Sequence, residues 1–144
     1  MSGTVRHDVF ITAKQKAWLG GCSVWYVDAT FKVAPKGMRQ LFSINGFLKS
    51  KSGEIKQFPL AFAMMKRRQT PDYIAVLEVI IKSLDIVSVV EVVSDFEAAI
   101  FNAFKQCLPD VQHFGCSFHW KQAVLRKACE FGLKTQYLQQ GIIL

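Results

Sequence analysis

Two aspartates stand at positions where a carboxylate could do metal chemistry. Asp28 lies inside the apolar run 24–31 (VWYVDATF), and Asp95 follows the mostly apolar run 89–94 (VVEVVS). A carboxylate is costly to bury unless it is paired, hydrogen-bonded or bound to a metal. Two converging carboxylates can hold two divalent ions that promote cleavage of a phosphodiester. Because hard oxygen ligands favour Mg²⁺ or Mn²⁺ over zinc, the pair predicts a magnesium or manganese centre.

Each aspartate also has a simpler interpretation. Asp28 could face water at the edge of a strand. Asp95 could be the N-cap of the helix that follows it, because Asp is favoured there and Glu97 suits a first helical turn. Both interpretations stay open when each residue is taken alone.

The basic residues point to a polyanionic partner. Lys and Arg number 18 against 11 Asp and Glu, which gives a net charge of +7 and a pI near 9.4. An excess of this size favours nucleic acid as a partner, although a solvated basic surface gives the same count. The side chains that we expect to contact phosphates, or in the case of the tryptophan to stack on an unpaired base, are Lys66, Arg67, Arg68, Trp120, Lys121, Arg126 and Lys127.

The four cysteines form no regular disulfide framework, so we expect a reducing compartment. No apolar stretch reaches the roughly 20 residues that a membrane helix needs, and no signal region opens the chain. One cluster invites a zinc interpretation: Cys107, His113, Cys116 and His119. Its spacing is not a familiar closed zinc pattern, so we expect no structural zinc. These side chains could instead pack internally, or act beside an active site.

The chain of 144 residues is long enough for one domain, and its elements follow a definite order. Runs rich in Val, Ile and Phe predict strands, and helical spacing of apolar residues predicts helices. The predicted elements are strands 24–33, 41–48 and 55–64, a helix from 70, a strand 89–94, a helix 96–107, a strand 111–115 and a helix from 118. This order predicts an α/β protein with a mixed five-stranded sheet, three antiparallel strands followed by βαβ units, as in the ribonuclease H-like fold. The first and fourth strands would be central neighbours, which brings Asp28 and Asp95 together.

Five segments, in this order, resemble parts of a known family: 28–33 (DATFKV), 40–46 (QLFSING), 58–63 (FPLAFA), 94–99 (SDFEAA) and 115–123 (GCSFHWKQA). Over about residues 25–127 the chain resembles the transposase domain of Mutator-like elements. The resemblance implies a ribonuclease H-like core with a DDE triad that cuts and joins DNA at transposon ends. It also implies that Asp28 and Asp95 are the first two acids, and that Cys116 and His119 are the Cys-x-x-His motif between the second and third acids.

The third acid is the point at which the chain departs from the family. There the third acid is a glutamate downstream of a helical insertion, which implies a position beyond Leu144. We therefore expect residues 1–144 to be a single core without that insertion, and to be inactive alone. Glu130 is a competing candidate, since it lies 35 positions after Asp95, a spacing like that of retroviral integrases. A solvated helix-face glutamate is the commoner situation.

Two functions follow from these observations. The first is the catalytic domain of a DNA transposase, acting on transposon ends and target DNA in the nucleus, with the full-length protein a homo-oligomer. The second is a transposase-derived protein that has lost catalysis and binds DNA or regulates transcription. Retention of both acids favours the first, because a binding module gains nothing obvious from an acidic pair.

Overall fold

A computed structural model describes residues 5–133 and Thr135 of the chain. Its strands are β1 (Asp8–Phe10), β2 (Val24–Thr30), β3 (Gln40–Lys49), β4 (Ile55–Met65), β5 (Glu91–Ser94) and β6 (Gln112–Gly115). Its helices are α1 (Ala13–Gly21), α2 (Thr70–Ser83), α3 (Ala98–Cys107) and α4 (Ser117–Glu130). The strands form one sheet in the order β1-β4-β3-β2-β5-β6.

The strand directions confirm the predicted antiparallel and parallel pairings. β2, β3 and β4 form an antiparallel meander, whereas β5 is parallel to β2 and β6 is parallel to β5. Each parallel pair needs a crossover, which α2 supplies before β5 and α3 supplies before β6. As a result β2, β4, β5 and β6 all end, and β3 begins, at one edge of the sheet. We call this the carboxyl edge.

The two faces of the sheet differ. Alternate residues of β2 and β3, among them Trp25 and Phe42, are fully buried on one face. The same core contains apolar side chains of α1, α2 and α3, such as Leu19, Leu77 and Phe104. The other face carries the alternate, partly exposed residues of β2 and β3. We call the first the packed face and the second the open face.

The prediction of five strands is wrong by one, because β1 adds a sixth strand at the outer edge of β4. Its three residues are too few to show an alternating pattern. Helix α1 was also not predicted, since its sequence AKQKAWLGG has no clear apolar period. A signal for α1 was nonetheless present: Gln15 N–H donates to Thr12 Oγ1 (3.2 Å) and Thr12 N–H donates to Gln15 Oε1 (2.9 Å), which is a capping box.

Several element boundaries differ from their predictions by one to three residues, and two of these differences have local reasons. β2 ends at Thr30 rather than at residue 33, because the chain turns directly after it, where Ala34 N–H donates to Phe31 O (3.3 Å). A second turn follows through Gly37, whose φ of +90° suits glycine. The helix after β5 begins at Ala98, two residues later than predicted, with Glu97 as its N-cap.

Candidate active site

The parallel register of β2 and β5 aligns the two aspartates. Trp25 pairs with Val92 and Tyr26 pairs with Val93. Continued by two residues, this register sets Asp28 level with Asp95 at the carboxyl edge. Neighbouring strands lie about 4.8 Å apart, and residues two apart in a strand share a face. Asp28 therefore belongs to the open face with Tyr26, whereas Asp95 lies one residue beyond the end of β5 and is not among the residues that line the cavity on that face.

Asp28 is an exposed carboxylate and not a buried one. Its side chain is 52% exposed, and its Oδ1 accepts a hydrogen bond from Ala29 N–H (2.9 Å). His119 Nε2 lies 3.7 Å from the same oxygen. The cost of burial therefore does not apply to Asp28, and its importance rests on what lies beside it.

Asp95 is not the N-cap of α3. Its Oδ1 accepts a hydrogen bond from Phe96 N–H (2.7 Å), but α3 begins only at Ala98. Within the described residues, Oδ2 of Asp95 and Oδ2 of Asp28 accept no hydrogen bond from protein. Each aspartate thus keeps an oxygen available for a hard cation, and this donor chemistry fits Mg²⁺ or Mn²⁺.

The start of α4 places the Cys-x-x-His motif beside Asp28. Cys116 N–H donates to Ser94 O (2.6 Å), and Cys116 is the N-cap of α4. His119 is in the first turn of that helix, so its ring lies over the carboxyl edge. Its Nδ1 is buried without a hydrogen-bond partner among the described residues. The motif therefore lies beside the acids, which is one of the roles that the sequence left open for it.

A cavity of about 530 Å³ opens on the same face. It is lined by residues of β2, β3, β4, β5 and the start of α4: Tyr26, Val27, Asp28, Ser43, Asn45, Phe47, Gln57, Val93, Cys116, Phe118 and His119. Sequence reasoning missed Ser43, Asn45 and Gln57. Ser43 is paired with Asp28 across β2 and β3, and Asn45 donates to Tyr26 O (3.0 Å). The alternation of polar residues in β3 could have revealed the first two.

The remaining members of the Cys/His cluster lie apart from this cavity. His113 Nε2 is 2.6 Å from Ser94 Oγ, and the ring is stacked on Phe101 at 3.8 Å. Burial lowers the pKa of His113. Cys107 ends α3. Among the residues that the structure describes, no three His, Cys, Asp or Glu side chains lie close enough to share a metal ion.

Glu130 lies at the far end of α4. Its Oε2 is 2.6 Å from Lys127 Nζ, and both side chains are exposed. Glu130 is eleven positions after His119 along the helix, about 16 Å at 1.5 Å per residue. In this arrangement Glu130 is not brought to the two aspartates.

The residues predicted to contact DNA form two groups in the structure, which lie in different places. The segment Lys66–Arg68 follows β4 at the carboxyl edge, and the Arg68 guanidinium lies 4.8 Å from the centre of the Phe31 ring, just beyond β2. The second group, Trp120, Lys121, Arg126 and Lys127, lies on the exposed surface of α4. The structure therefore brings the first group to the same edge as the acids.

A buried carboxylate holds the first basic group in place. Asp72, 3% exposed, accepts hydrogen bonds from Gln69 N–H (2.9 Å) and His7 Nε2 (3.0 Å), and Arg67 Nε lies 3.4 Å from it. Lys66 N–H donates to His7 Nδ1 (3.3 Å), so the proton of this imidazole is on Nε2. Burial acts to raise the pKa of Asp72, but these hydrogen bonds and the Arg67 charge together hold it below its ordinary value.

We expect the stability of the protein to depend on Asp72 in the acid range. A carboxyl whose folded pKa is depressed stabilises the fold above its unfolded pKa, about 3.9, and this stabilisation is lost as pH falls through the folded value. Asp72→Asn should therefore lower the free energy of unfolding by about 1–3 kcal/mol at neutral pH, and by less in acid. Urea denaturation as a function of pH measures this. An unchanged pH profile would contradict it, and Glu54→Gln, at an exposed pair with Lys56, is the control.

The matched span in a comparison with family models decides the family. The model of the MULE transposase domain matches residues 24–123. The chain belongs to this family. The span of the MULE transposase domain includes Asp28, Asp95 and the Cys116–His119 motif, but not Glu130.

Comparisons with solved structures give only weak similarities, and a comparison with curated proteins gives none. The chain is similar to the catalytic core domain of BIV integrase, with 13% identity and a TM-score of 0.41, covering 84% of this chain and 73% of that one. It is also similar to a chain of the simian T-cell lymphotropic virus intasome in complex with PP2A regulatory subunit B56 gamma, with 17% identity and a TM-score of 0.38, covering 84% of this chain and 43% of that one. No curated protein is significantly similar. No described helix is long and apolar enough to cross a membrane.

Proposed function

We propose that this domain is the catalytic core of a DNA transposase, with Asp28 and Asp95 as its first two metal ligands. The observation that supports the proposal is the parallel pairing of β2 with β5, Tyr26 opposite Val93, which brings Asp28 and Asp95 to the same end of neighbouring strands. The proposed ribonuclease H-like core is supported by the strand order β4-β3-β2-β5-β6 and by membership of the MULE transposase domain family. We also propose that the protein acts on transposon ends and target DNA, that it is located in the nucleus, and that the full-length protein is a homo-oligomer.

Each part of the site has a role in this proposal. Asp28 and Asp95 would hold Mg²⁺ or Mn²⁺, which activates a nucleophile and stabilises the leaving oxygen of a phosphodiester. His119, 3.7 Å from Asp28, orients that carboxylate. The basic side chains at the carboxyl edge and on α4 bind the DNA backbone. The third acid of the triad is supplied from outside residues 5–133.

One observation favours the second candidate function, a DNA-binding or transcription-regulating protein without catalysis. Within the described part of the chain, Asp28 and Asp95 are not joined by a third carboxylate, since Glu130 is paired with Lys127 at the far end of α4. A coupled catalytic set that lacks one member loses most of its rate.

Nicking of a supercoiled plasmid with Mg²⁺ or Mn²⁺ separates the two functions. Residues 1–144 should bind the plasmid without nicking it, whereas the full-length protein should nick it and lose this activity in Asp28→Asn and Asp95→Asn. The matched control is Glu54→Gln, in the turn at the opposite edge of the sheet. If the full-length protein binds DNA but does not nick it with either metal, the catalytic proposal fails. Nicking by residues 1–144 that disappears in Glu130→Gln would make Glu130 the third acid.

A further inference from the structure

Three arginines converge on a second cavity at the carboxyl edge. It has a volume of about 330 Å³ and is lined by Arg39, Arg67, Arg68 and Gln69. Arg39 directly precedes β3, and its N–H donates to Met65 O (2.8 Å) at the end of β4. The antiparallel β3–β4 pair thus brings Arg39 beside a segment about 28 residues away in sequence.

The positive charge of this cavity is only partly compensated. Arg67 Nε lies 3.4 Å from the buried Asp72 carboxylate. Arg68 lies over the Phe31 ring, and Arg39 makes no ion pair among the described residues. Glu97, another acid on this side of α2, accepts a hydrogen bond from Tyr73 OH (3.1 Å). Two of the three guanidinium groups are therefore free to bind an anion.

The chemistry of the lining selects the ligand. Guanidinium groups are planar donors that match the paired oxygens of a phosphate, and they have no acceptor atoms. We infer that Arg39, Arg67 and Arg68 form a pocket for one phosphate of a DNA backbone, an inference that rests on the proposed action on DNA.

The position of the pocket relates it to the acids. β4 lies two strand spacings from β2, about 10 Å, and Phe31 lies three residues beyond Asp28, also about 10 Å. The pocket and the two aspartates therefore lie at the same end of the sheet, close enough for one DNA strand to contact both.

Binding of a short DNA duplex in EDTA tests the pocket without involving the metal site. Arg39→Gln should weaken binding about fivefold, and should reduce the slope of log affinity against log salt by about 0.9, the value for one phosphate contact. Lys51→Gln removes the same charge from the exposed turn at the opposite edge, and should leave the slope unchanged. Arg39 is exposed, so thermal unfolding of the variant should match that of the wild type.

A double variant distinguishes one shared phosphate site from non-specific electrostatic attraction between the protein and DNA. If Arg39 and Arg68 hold the same phosphate, Arg39→Gln/Arg68→Gln should lose little more slope than either single variant. Slope losses that add, or an Arg39→Gln effect no larger than that of Lys51→Gln, would overturn the pocket. The pocket would also be overturned if Arg39→Gln weakened binding of an RNA duplex but not of a DNA duplex, or if the wild type did not bind DNA. None of these outcomes bears on Mn²⁺ binding by Asp28 and Asp95, which is measured separately.

Discussion

Asp28→Asn is expected to weaken Mn²⁺ binding at least about tenfold, and Asp95→Asn to do the same. The physical reason is the proposed shared site: the β2–β5 pairing brings Asp28 and Asp95 to the same end of neighbouring strands, and such strands are about 4.8 Å apart, so one ion could be bound by both carboxylates. An amide at either position removes one negative charge and one strong oxygen ligand. Isothermal titration calorimetry of the chain measures the affinity directly.

The double variant gives the sharper result. If one ion touches both residues, Asp28→Asn/Asp95→Asn should lose much less affinity than the sum of the two single losses, because the first change already breaks the shared site. Glu54→Gln should leave Mn²⁺ binding unchanged. Strictly additive losses, or wild-type affinity in Asp28→Asn, would mean that these aspartates do not share an ion.

Gly20→Ala is expected to destabilise the fold by about 2–3 kcal/mol, because a methyl group there would overlap the backbone carbonyl of Ile86. This contact cannot relax easily, since Ser88 N–H donates to Gly20 O (2.9 Å) and ties the same loop to α1. Gly21 provides a matched control. A methyl group on Gly21 would meet nothing within 4 Å, so Gly21→Ala should be neutral or stabilise by up to about 1 kcal/mol.

Urea denaturation of both variants measures the two free energies of unfolding. If Gly20→Ala and Gly21→Ala change the free energy of unfolding equally, Gly20 is not packed tightly against the loop 84–88. A loss confined to Gly20→Ala would establish that α1 packs closely against the loop 84–88 at Gly20.

The order and directions of the five predicted strands were readable from the sequence, because period-two alternation and helical spacing depend on residue type alone. β1 was not, since a three-residue strand is defined by its partner and not by its own pattern. The alignment of Asp28 with Asp95 was predicted from topology. Whether Asp28 is buried or faces water was left open by the sequence, because an apolar run does not reveal that one face of its strand is uncovered.

The arginine cavity shows a second limit. Arg67 and Arg68 were candidates because they are adjacent in the sequence, whereas Arg39 joins them only through the β3–β4 register. The role of Asp72 was hidden for the same reason, since His7 lies 65 residues away. Clusters that assemble across strands need the register, which composition and spacing do not supply.

The division between a packed face and an open face has an evolutionary consequence. Asp28 and Asp95 are exposed, so replacing either removes no buried contact and should cost the fold little. Selection for folding therefore does not by itself protect the acids. If the proposed function holds, a lineage of such domains could lose catalysis in one mutational step and persist as folded proteins that keep the proposed DNA-binding surface.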